Sequence, residues 1–282
     1  MELTVRVPGS CGEVMQGPWG LITCPVDRFS TVTVRPGSGQ LCGGGEKACR
    51  ALHLALAECG RAALPYDFIL TSELPQGKGM ASSSADICAV LAAVTTACGQ
   101  PLSLRRIGRL AASIEPTDGV FYPGLAMVDP EKGEIMRTFL PVPAIPIAVF
   151  DAGGTVDTVA FHRSQQGRIK TEALFVRQAR QRLLCGISAE RLGEAASRSA
   201  LANQAVLLKP AFPSFLRRAR QHACVVGVNA AHSGTVAGVF FRPGTARPQQ
   251  EAVIDDLSRR FPQWTYYDTV CLCSGGIFIE SR

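Results

Sequence analysis

The sequence predicts an α+β fold in two parts, and three features predict it. The 282-residue chain is long enough for two domains of ordinary size. Strand-like and helix-like segments alternate through both halves. A proline-rich run at 140–146 separates the halves, so we expect one domain at 1–143 and a second at 144–282.

The elements of the first half follow from apolar periodicity. Alternating apolar residues predict strands at 3–7, 29–35 and 66–74, the second of which ends at the Pro-Gly-Ser-Gly run of 36–39. One helix is predicted over 47–59, closed by Gly60. A longer helix carries Ile87, Val90, Leu91 and Val94 on one face and is closed by Gly99. A third helix over 104–114 stops before Glu115-Pro116, because the residue before a proline disfavours the helical conformation.

The second half begins with a continuous apolar strand at 147–150. Helices are predicted over 168–185, 189–206, 212–223 and 248–261, and a strand over 236–241. The last segment, 266–280, is typical of a hairpin around Ser274-Gly275-Gly276.

Composition excludes several classes of protein. Hydrophobic residues make up 46% of the chain and charged residues 18%, which indicates a folded protein. The longest nearly apolar stretch, 87–98, is too short to cross a bilayer, and the N-terminus lacks the pattern of a signal peptide, so we expect a cytoplasmic protein without a membrane partner. The net charge is +6, and the densest basic run, 163–182, contains a single aromatic residue and no recognised nucleic-acid motif. A nucleic-acid partner is therefore not expected.

The 11 cysteines show no zinc spacing, and we expect most of them to be reduced and buried.

The segment 74–85, Leu-Pro-Gln-Gly-Lys-Gly-Met-Ala-Ser-Ser-Ser-Ala, is the most informative part of the chain. It joins a predicted strand to the long helix. Small residues let a backbone approach a ligand closely, and the unpaired N–H groups of a helix N-terminus favour anions. The segment therefore predicts a phosphate-binding loop, although an ordinary helix start capped by Ser82–Ser84 is the alternative. The P-loop and dinucleotide-binding patterns both fail, because the required glycines are missing.

The pattern P-x-x-x-G-[LM]-[GA]-S-S within this loop resembles the central motif of the GHMP small-molecule kinases. Residues 5–17 resemble the first motif of that family, a strand that leads into Pro-Gly and is followed a few residues later by Gly-Glu. Residues 227–238 occupy the place of its third, glycine-rich motif. The order and spacing match over nearly the whole chain. The resemblance implies a ribosomal protein S5 domain 2-like N-terminal domain and a ferredoxin-like C-terminal domain, with substrates bound between them.

The resemblance also implies roles for residues of the central motif. The ATP phosphates would be bound by Pro75, Gln76, Gly77, Lys78, Gly79, Met80, Ala81, Ser82, Ser83 and Ser84. Ser83 and Glu115 would ligate Mg²⁺, Ser82 would contact a phosphate, and Asp118 would take the proton of the acceptor hydroxyl. Lys78 either neutralises phosphate charge or extends into solvent. For Glu115 and Asp118, a simple turn after a helix is the alternative.

Five segments, 8–13, 24–27, 79–83, 114–118 and 229–234, resemble those family members that phosphorylate free L-threonine to O-phospho-L-threonine, a precursor of the aminopropanol linker of cobalamin. L-Threonine and ATP are thus the expected ligands. Glu13 would pair with the ammonium of the substrate, and His232, Ser233 or backbone N–H groups would bind its carboxylate, although His232 is equally well explained as a structural histidine. Ser10, Cys11 and Gly12 would lie near the substrate. Ser10 replaces a basic residue found in many relatives.

Two other activities remain open from the sequence. One is another kinase of the family, acting on homoserine or on 4-diphosphocytidyl-methylerythritol. The other is a nucleotide-binding regulator that does not catalyse a reaction. The oligomeric state is also left open, a homodimer included.

Overall fold

The computed structural model describes residues 3–154 and 173–281. In these ranges the chain forms two β-sheets and seven α-helices. The strands are β1 (Leu3–Gly17), β2 (Gly20–Pro36), β3 (Leu41–Cys42), β4 (Tyr66–Ser72), β5 (Leu125–Asp129), β6 (Glu134–Phe139), β7 (Pro146–Asp151), β8 (Val225–Ala230), β9 (Val236–Phe241), β10 (Thr265–Cys271) and β11 (Phe278–Ser281). The helices are α1 (Glu46–Glu58), α2 (Ser82–Ala97), α3 (Leu104–Ile114), α4 (Leu174–Leu184), α5 (Ala189–Asn203), α6 (Phe212–Ala219) and α7 (Arg247–Arg260). The predicted α+β class is confirmed.

The first sheet has the order β11-β1-β2-β4-β3, and β5 and β6 continue it from β2. Strands β1 and β2 form a long antiparallel pair from Leu3↔Val34 to Gly17↔Gly20. The pairing shifts register three times between Pro8 and Met15. Bulges of this kind bend a strand and re-aim its side chains, and here they lie within the segment 5–17 that was singled out in the sequence.

Helix α2 is the central element behind this sheet. Its residues from Ser84 to Thr95 are all buried, because strands β1 and β2 cover one side and helices α1 and α3 pack on it elsewhere. The prediction of a buried helix for 87–98 is confirmed. A helix that is apolar all round can be stable only with such cover on every side, and this cover fixes the direction of its N-terminus.

The second sheet has the order β10-β7-β9-β8. Its core is largely aromatic: the ring of Phe215 lies 5.2 Å from that of Phe150 and 5.1 Å from that of Trp264. Helix α5 crosses from this sheet to the first one, since it contacts both β8 and β1.

Three sequence predictions differ from the structure. The predicted hairpin at 266–280 is wrong: β10 pairs with β7, while β11 returns to the first sheet and pairs with β1, Val5 opposite Ile279. The turn residues at 274–276 therefore mark a crossing between sheets. Strands β3, β5, β6 and β8 were missed. Cysteines are less buried than expected, since Cys42, Cys49 and Cys185 are exposed.

Part of the predicted helix at 168–185 and of the basic run at 163–182 lies outside the described residues. The described part, Leu174–Leu184, is helical. Within 3–154 and 173–281, no helix has the length and apolar character needed to cross a membrane.

We predict that Gly193→Ala destabilises the protein although the residue lies inside a helix. At an exposed helical site this change gains about 1 kcal/mol. Here a Cβ at Gly193 would lie 2.4 Å from the Val226 carbonyl oxygen of β8, so α5 must move away. We expect the free energy of unfolding in urea to fall by about 1–3 kcal/mol. An increase would show that α5 and β8 are not in close contact.

Candidate functional site

A cleft of about 370 Å³ lies at the N-terminus of α2. This volume is in the range of small-molecule sites. Fourteen of the residues singled out in the sequence line it: Ser10, Gly12, Glu13, Gln76, Gly77, Gly79, Met80, Ala81, Ser82, Ser83, Ser84, Glu115, Asp118 and Ser233. Segments far apart in the chain thus meet at one cavity.

The three motifs meet at three glycines. Gly12 and Gly79 have positive φ angles of 57° and 85°. A Cβ at Gly79 would lie 2.4 Å from the Cβ of Ala231, and one at Gly234 would lie 2.3 Å from the Lys78 carbonyl oxygen. Any side chain here would push the segments apart, so this junction depends on glycine.

Three consecutive carbonyl groups of the phosphate-loop candidate accept hydrogen bonds from other segments of the protein. The oxygens of Lys78, Gly79 and Met80 accept hydrogen bonds from Thr235 N, Gly12 N and Ser10 N at 2.9, 3.0 and 2.9 Å. In the described part of the chain, by contrast, no protein group accepts from the N–H groups of 76–84. The carbonyl oxygens of 78–80, which carry partial negative charge, are therefore used in contacts within the protein. The N–H groups, which carry partial positive charge, remain available to a ligand.

The start of α2 strengthens this polarity. Ala81, which precedes the helix, has a left-handed conformation with φ 55° and ψ 25° and provides no side-chain cap. A left-handed alanine costs about 1–2 kcal/mol, and residues held in this way cluster at functional sites. The uncapped first turn gives the cleft the positive end of the helix dipole.

The three serines of this turn differ in their contacts. The Ser84 hydroxyl lies 3.2 Å from Asp118 Oδ2 and also accepts a hydrogen bond from Asp118 N. The hydroxyls of Ser82 and Ser83 have no hydrogen-bond partner within the described ranges, and both residues line the cleft. Ser84 thus positions Asp118, while the first two serines remain available to a ligand.

Asp118 lies in a strongly acidic environment. Burial, and then the negative charges of Glu13 and Glu115, raise its pKa to about 7. A carboxyl group with a pKa near neutrality can exchange a proton with a substrate. Asp118 is therefore a candidate general base at the cleft.

Glu115 is buried and forms an ion pair with Lys47 Nζ. Lys47 belongs to the first turn of α1 and lines the cleft with Glu46 and Ala48. Asp86, also at the cleft, is bonded by the Ser30 hydroxyl, and burial followed by the charge of Glu115 raises its pKa to about 6. The sequence reasoning missed both Lys47 and Asp86.

The residues present fit a magnesium ion. Mg²⁺ usually takes one or two protein oxygens and completes its shell with water and phosphate oxygens. The Ser83 hydroxyl and the Glu115 carboxylate line one cleft, and Glu115 already holds a cationic group there. In the ranges 3–154 and 173–281, no group of three or more His, Cys, Asp or Glu side chains is arranged to hold a metal ion.

Glu13, which also lines the cleft, is held by His232. The backbone N of His232 donates to Glu13 Oε2 at 2.9 Å, and His232 Nδ1 lies 2.8 Å from the same oxygen. The other ring nitrogen lies 3.2 Å from Ser199 Oγ of α5. Burial raises the pKa of Glu13, but the charge and hydrogen bonds of His232 and the charge of Lys209 outweigh it and lower the pKa.

Four residues singled out in the sequence do not line the cleft. Pro75 lies outside it, and His232 faces Glu13 and Ser199 instead. Lys78 Nζ donates to Asp151 Oδ2 and to the Gly154 carbonyl, each at 2.7 Å, so it neither meets the cleft nor extends freely into solvent. Cys11 is fully buried, with Sγ 4.0 Å from Asn229 Oδ1, and burial raises its pKa to about 12.

Ser10 lines the cleft, but its hydroxyl donates to backbone carbonyls. The acceptors are the oxygens of Cys24, at 3.0 Å, and Gly12. The hydroxyl therefore supports the bulge of β1.

Further supporting residues gave little signal in the sequence. Asn229 Nδ2 donates to the carbonyls of Cys11 and Glu13, and Asn229 Oδ1 accepts from Gly238 N at 2.8 Å. Asn229 thereby fastens the bulge of β1 to the second sheet. Its place in the third motif could have suggested a role, whereas nothing local marks Lys47, Ser199 or Lys209.

Comparison with known proteins places these features in a family. The GHMP kinases N terminal domain matches residues 46–122. A protein from Salmonella typhimurium named L-threonine kinase is 32% identical over 278 residues, covering 92% of this chain and 90% of that protein. The L-threonine kinase of Citrobacter freundii is 33% identical over 248 residues, with 83% and 85% covered. The structure of homoserine kinase from Cytophaga hutchinsonii is 16% identical, covers 99% of this chain and 97% of its own, and superposes with a TM-score of 0.70, which shows the shared fold.

We predict that Gly79→Ala destabilises the protein more than Gly99→Ala does. Both glycines have a similar positive φ, 85° and 73°, so both variants carry the left-handed penalty of about 1–2 kcal/mol. A Cβ at Gly99 meets nothing within 4 Å, whereas one at Gly79 meets Ala231. We expect an extra loss of about 1–3 kcal/mol for Gly79→Ala in urea unfolding. Equal losses would contradict the close contact of the motifs.

Proposed function

Since the chain belongs to the GHMP kinase family and is an ATP-dependent kinase, we propose that it phosphorylates the side-chain hydroxyl of free L-threonine to give O-phospho-L-threonine. One observation carries the proposal: a single cleft joins an anion-attracting loop at Gly77–Ser83 to the carboxylates of Glu115, Asp118 and Glu13. The names of the two relatives at 32% and 33% identity support threonine as the acceptor.

In the proposed complex, the phosphates of ATP lie against the loop and the first turn of α2. The free N–H groups of 76–84 and the positive helix end stabilise the negative charge. Ser82 donates its hydroxyl to a phosphate oxygen. Lys78 remains paired with Asp151 and would therefore fix the position of the loop rather than contact a phosphate.

We propose that the chain divides into two domains at 1–143 and 144–282. Strand β11 lies in the second range but belongs with the first domain, because it pairs with β1.

Ser83 and Glu115 would hold Mg²⁺, which supplies positive charge to the phosphates as the phosphoryl group transfers. Glu115 would exchange its ion pair with Lys47 for the metal. This leaves the Lys47 ammonium free at the same wall of the cleft, where it can meet phosphate charge.

Asp118 takes the proton of the threonine hydroxyl. Ser84 orients its carboxylate, and the acidic surroundings give it the basicity to accept a proton near neutral pH. Phosphoryl transfer needs the acceptor oxygen in line with the phosphorus atom, so the placement of the amino acid matters as much as the base.

Glu13 binds the ammonium of the amino acid. Its Oε2 is occupied by His232, but Oε1 has no hydrogen-bond partner among residues 3–154 and 173–281. A carboxylate with one fixed and one free oxygen is suited to a charge-assisted hydrogen bond. Ser233, at the edge of the same cleft, is placed to donate to the substrate carboxylate. His232 reaches the substrate only through Glu13.

The proposed product indicates which reaction follows this one. We propose that O-phospho-L-threonine is decarboxylated to the aminopropanol phosphate of cobalamin, within the cytoplasm. Homoserine carries the same ammonium and carboxylate with a displaced hydroxyl, and the shared fold of a homoserine kinase makes it the acceptor to compare.

The activity is tested by ADP release from Mg·ATP with L-threonine, L-serine, L-homoserine and 4-diphosphocytidyl-methylerythritol, with mass detection of the product. We expect phosphothreonine to dominate, with some turnover of serine, because a single methyl group contributes only about 1–3 kcal/mol of discrimination. Turnover of another acceptor alone would reject threonine. ATP binding without turnover of any acceptor would favour a regulator.

The substrate role of Glu13 predicts a selective effect of Glu13→Gln. Loss of the negative charge removes the partner of the ammonium, so KM for L-threonine should rise roughly 10- to 100-fold. KM for ATP should change less than about twofold, since ATP is proposed to bind the loop and the first turn of α2 and to make no contact with Glu13. Equal changes in both constants would mean that Glu13 is structural.

The role of Asp118 predicts a pH dependence. A base must be ionised, and the pKa of Asp118 is raised to about 7, so kcat/KM should rise with pH up to about 7 and fall about tenfold per unit below it. Asp118→Asn should lower kcat by about 10²–10⁴-fold and remove this acidic limb. Ser113→Ala, in an exposed position on α3, serves as a control. An unchanged limb in Asp118→Asn would assign the ionisation to another group.

A further inference from the structure

Lys209 is a buried cation behind the cleft that no motif indicated. It is only 3% exposed and follows α5 in the chain. Its Nζ donates to the Ala231 carbonyl oxygen at 2.5 Å. Burial lowers its pKa to about 8, although the charge of Glu13 opposes this change. A buried ammonium is costly unless it is paired, and the acidic group that acts on its pKa is Glu13.

Lys209 and Glu13 are linked through a single peptide group. The carbonyl of the peptide between Ala231 and His232 accepts from Lys209 Nζ, and the N–H of the same peptide donates to Glu13 Oε2. The cation therefore lies at the negative end of the peptide dipole and the carboxylate at the positive end. Hydrogen bonds in such a chain strengthen one another.

The same peptide carries the His232 side chain, which holds Glu13 Oε2 a second time. If this peptide rotates, both contacts to Glu13 are lost together. The turn at 231–235 is also held by backbone hydrogen bonds from Ala231 N to Val236 O at 2.9 Å, from Thr235 N to Lys78 O at 2.9 Å and from Ala152 N to Thr235 O at 3.1 Å, but these three bonds do not involve the 231–232 peptide itself. Lys209 is the group that fixes its carbonyl end.

We propose that Lys209 is a positioning residue for the amino-acid acceptor: through the 231–232 peptide it holds Glu13 with one oxygen turned to the cleft, and it supplies the positive charge that balances this carboxylate before the substrate ammonium arrives. The inference rests on the proposed role of Glu13 in substrate binding. It assigns acceptor affinity to a residue that does not touch the acceptor.

The test is a double-mutant cycle with Lys209→Met and Glu13→Gln. Lys209→Met should raise KM for L-threonine roughly 10- to 100-fold, with kcat and KM for ATP within about twofold. If Lys209 acts through Glu13, the double variant should bind threonine no worse than Glu13→Gln alone. The matched control is Lys132→Met, whose side chain is 71% exposed and whose kinetics should equal those of the wild type.

Lys209→Gln separates the charge from the hydrogen bond, because the amide can still donate to the Ala231 carbonyl. We expect it to raise KM for threonine less than Lys209→Met does, with the same dependence on Glu13. The inference would be overturned by multiplicative effects in the cycle, by equal changes in the KM values for threonine and ATP, or by a wild-type KM for threonine in Lys209→Met. Loss of the folded state in both variants, measured by circular dichroism, would overturn it as well, since Lys209 would then serve folding.

The two proposals fail in different measurements. The threonine proposal fails if the wild type releases no O-phospho-L-threonine. The Lys209 inference is judged only by comparing variants, with whichever amino-acid acceptor the wild type phosphorylates, or with L-threonine binding by calorimetry if it phosphorylates none.

Discussion

The site depends on the close contact of three backbone segments at Gly12, Gly79 and Gly234. A Cβ at any of these positions would lie within 3 Å of neighbouring atoms, so the contact exists only without side chains. The contact is also directional, because three consecutive loop carbonyls at 78–80 accept hydrogen bonds from the other two segments. The loop must then present N–H groups to the cleft. Anion binding is therefore a consequence of how the motifs pack together.

This packing brings many negative groups to one place. Glu13, Asp86, Glu115 and Asp118 all line the cleft, and their mutual repulsion and burial raise the pKa values of Asp86 and Asp118. The structure offsets the charge with cations: Lys47 pairs with Glu115, and His232 and Lys209 lie near Glu13. In the proposed complex, a metal ion would replace Lys47 at Glu115, and the substrate ammonium would be added at Glu13. The proposed binding is thus an exchange of positive charge within one cleft.

Whether the role of a residue could be predicted from the sequence depended on whether its partners lie close to it in the chain. The loop at 74–85 was identified because its function resides in consecutive residues between a strand and a helix. Glu115 and Asp118 were indicated by their place after α3, and both line the cleft. Cys11 was expected near the substrate, but alternate residues of a bulged strand face opposite sides, and the sequence does not show where the register shifts occur. Lys78 was expected at phosphate or solvent, yet it reaches Asp151, a partner 73 residues away.

The sequence by itself determined the α+β class, the order of most elements, the phosphate loop and the family resemblance, because these depend on short-range periodicity and on contiguous motifs. Only the tertiary structure decided that β11 returns to the first sheet and that His232 holds Glu13 rather than lining the cleft. It alone decided that Lys209 is buried beside the same peptide. Each of these features is a contact between residues remote in the chain, 219 positions apart for Glu13 and His232. Such contacts are set by the packing of whole elements, and the local sequence around each residue carries little information about that packing.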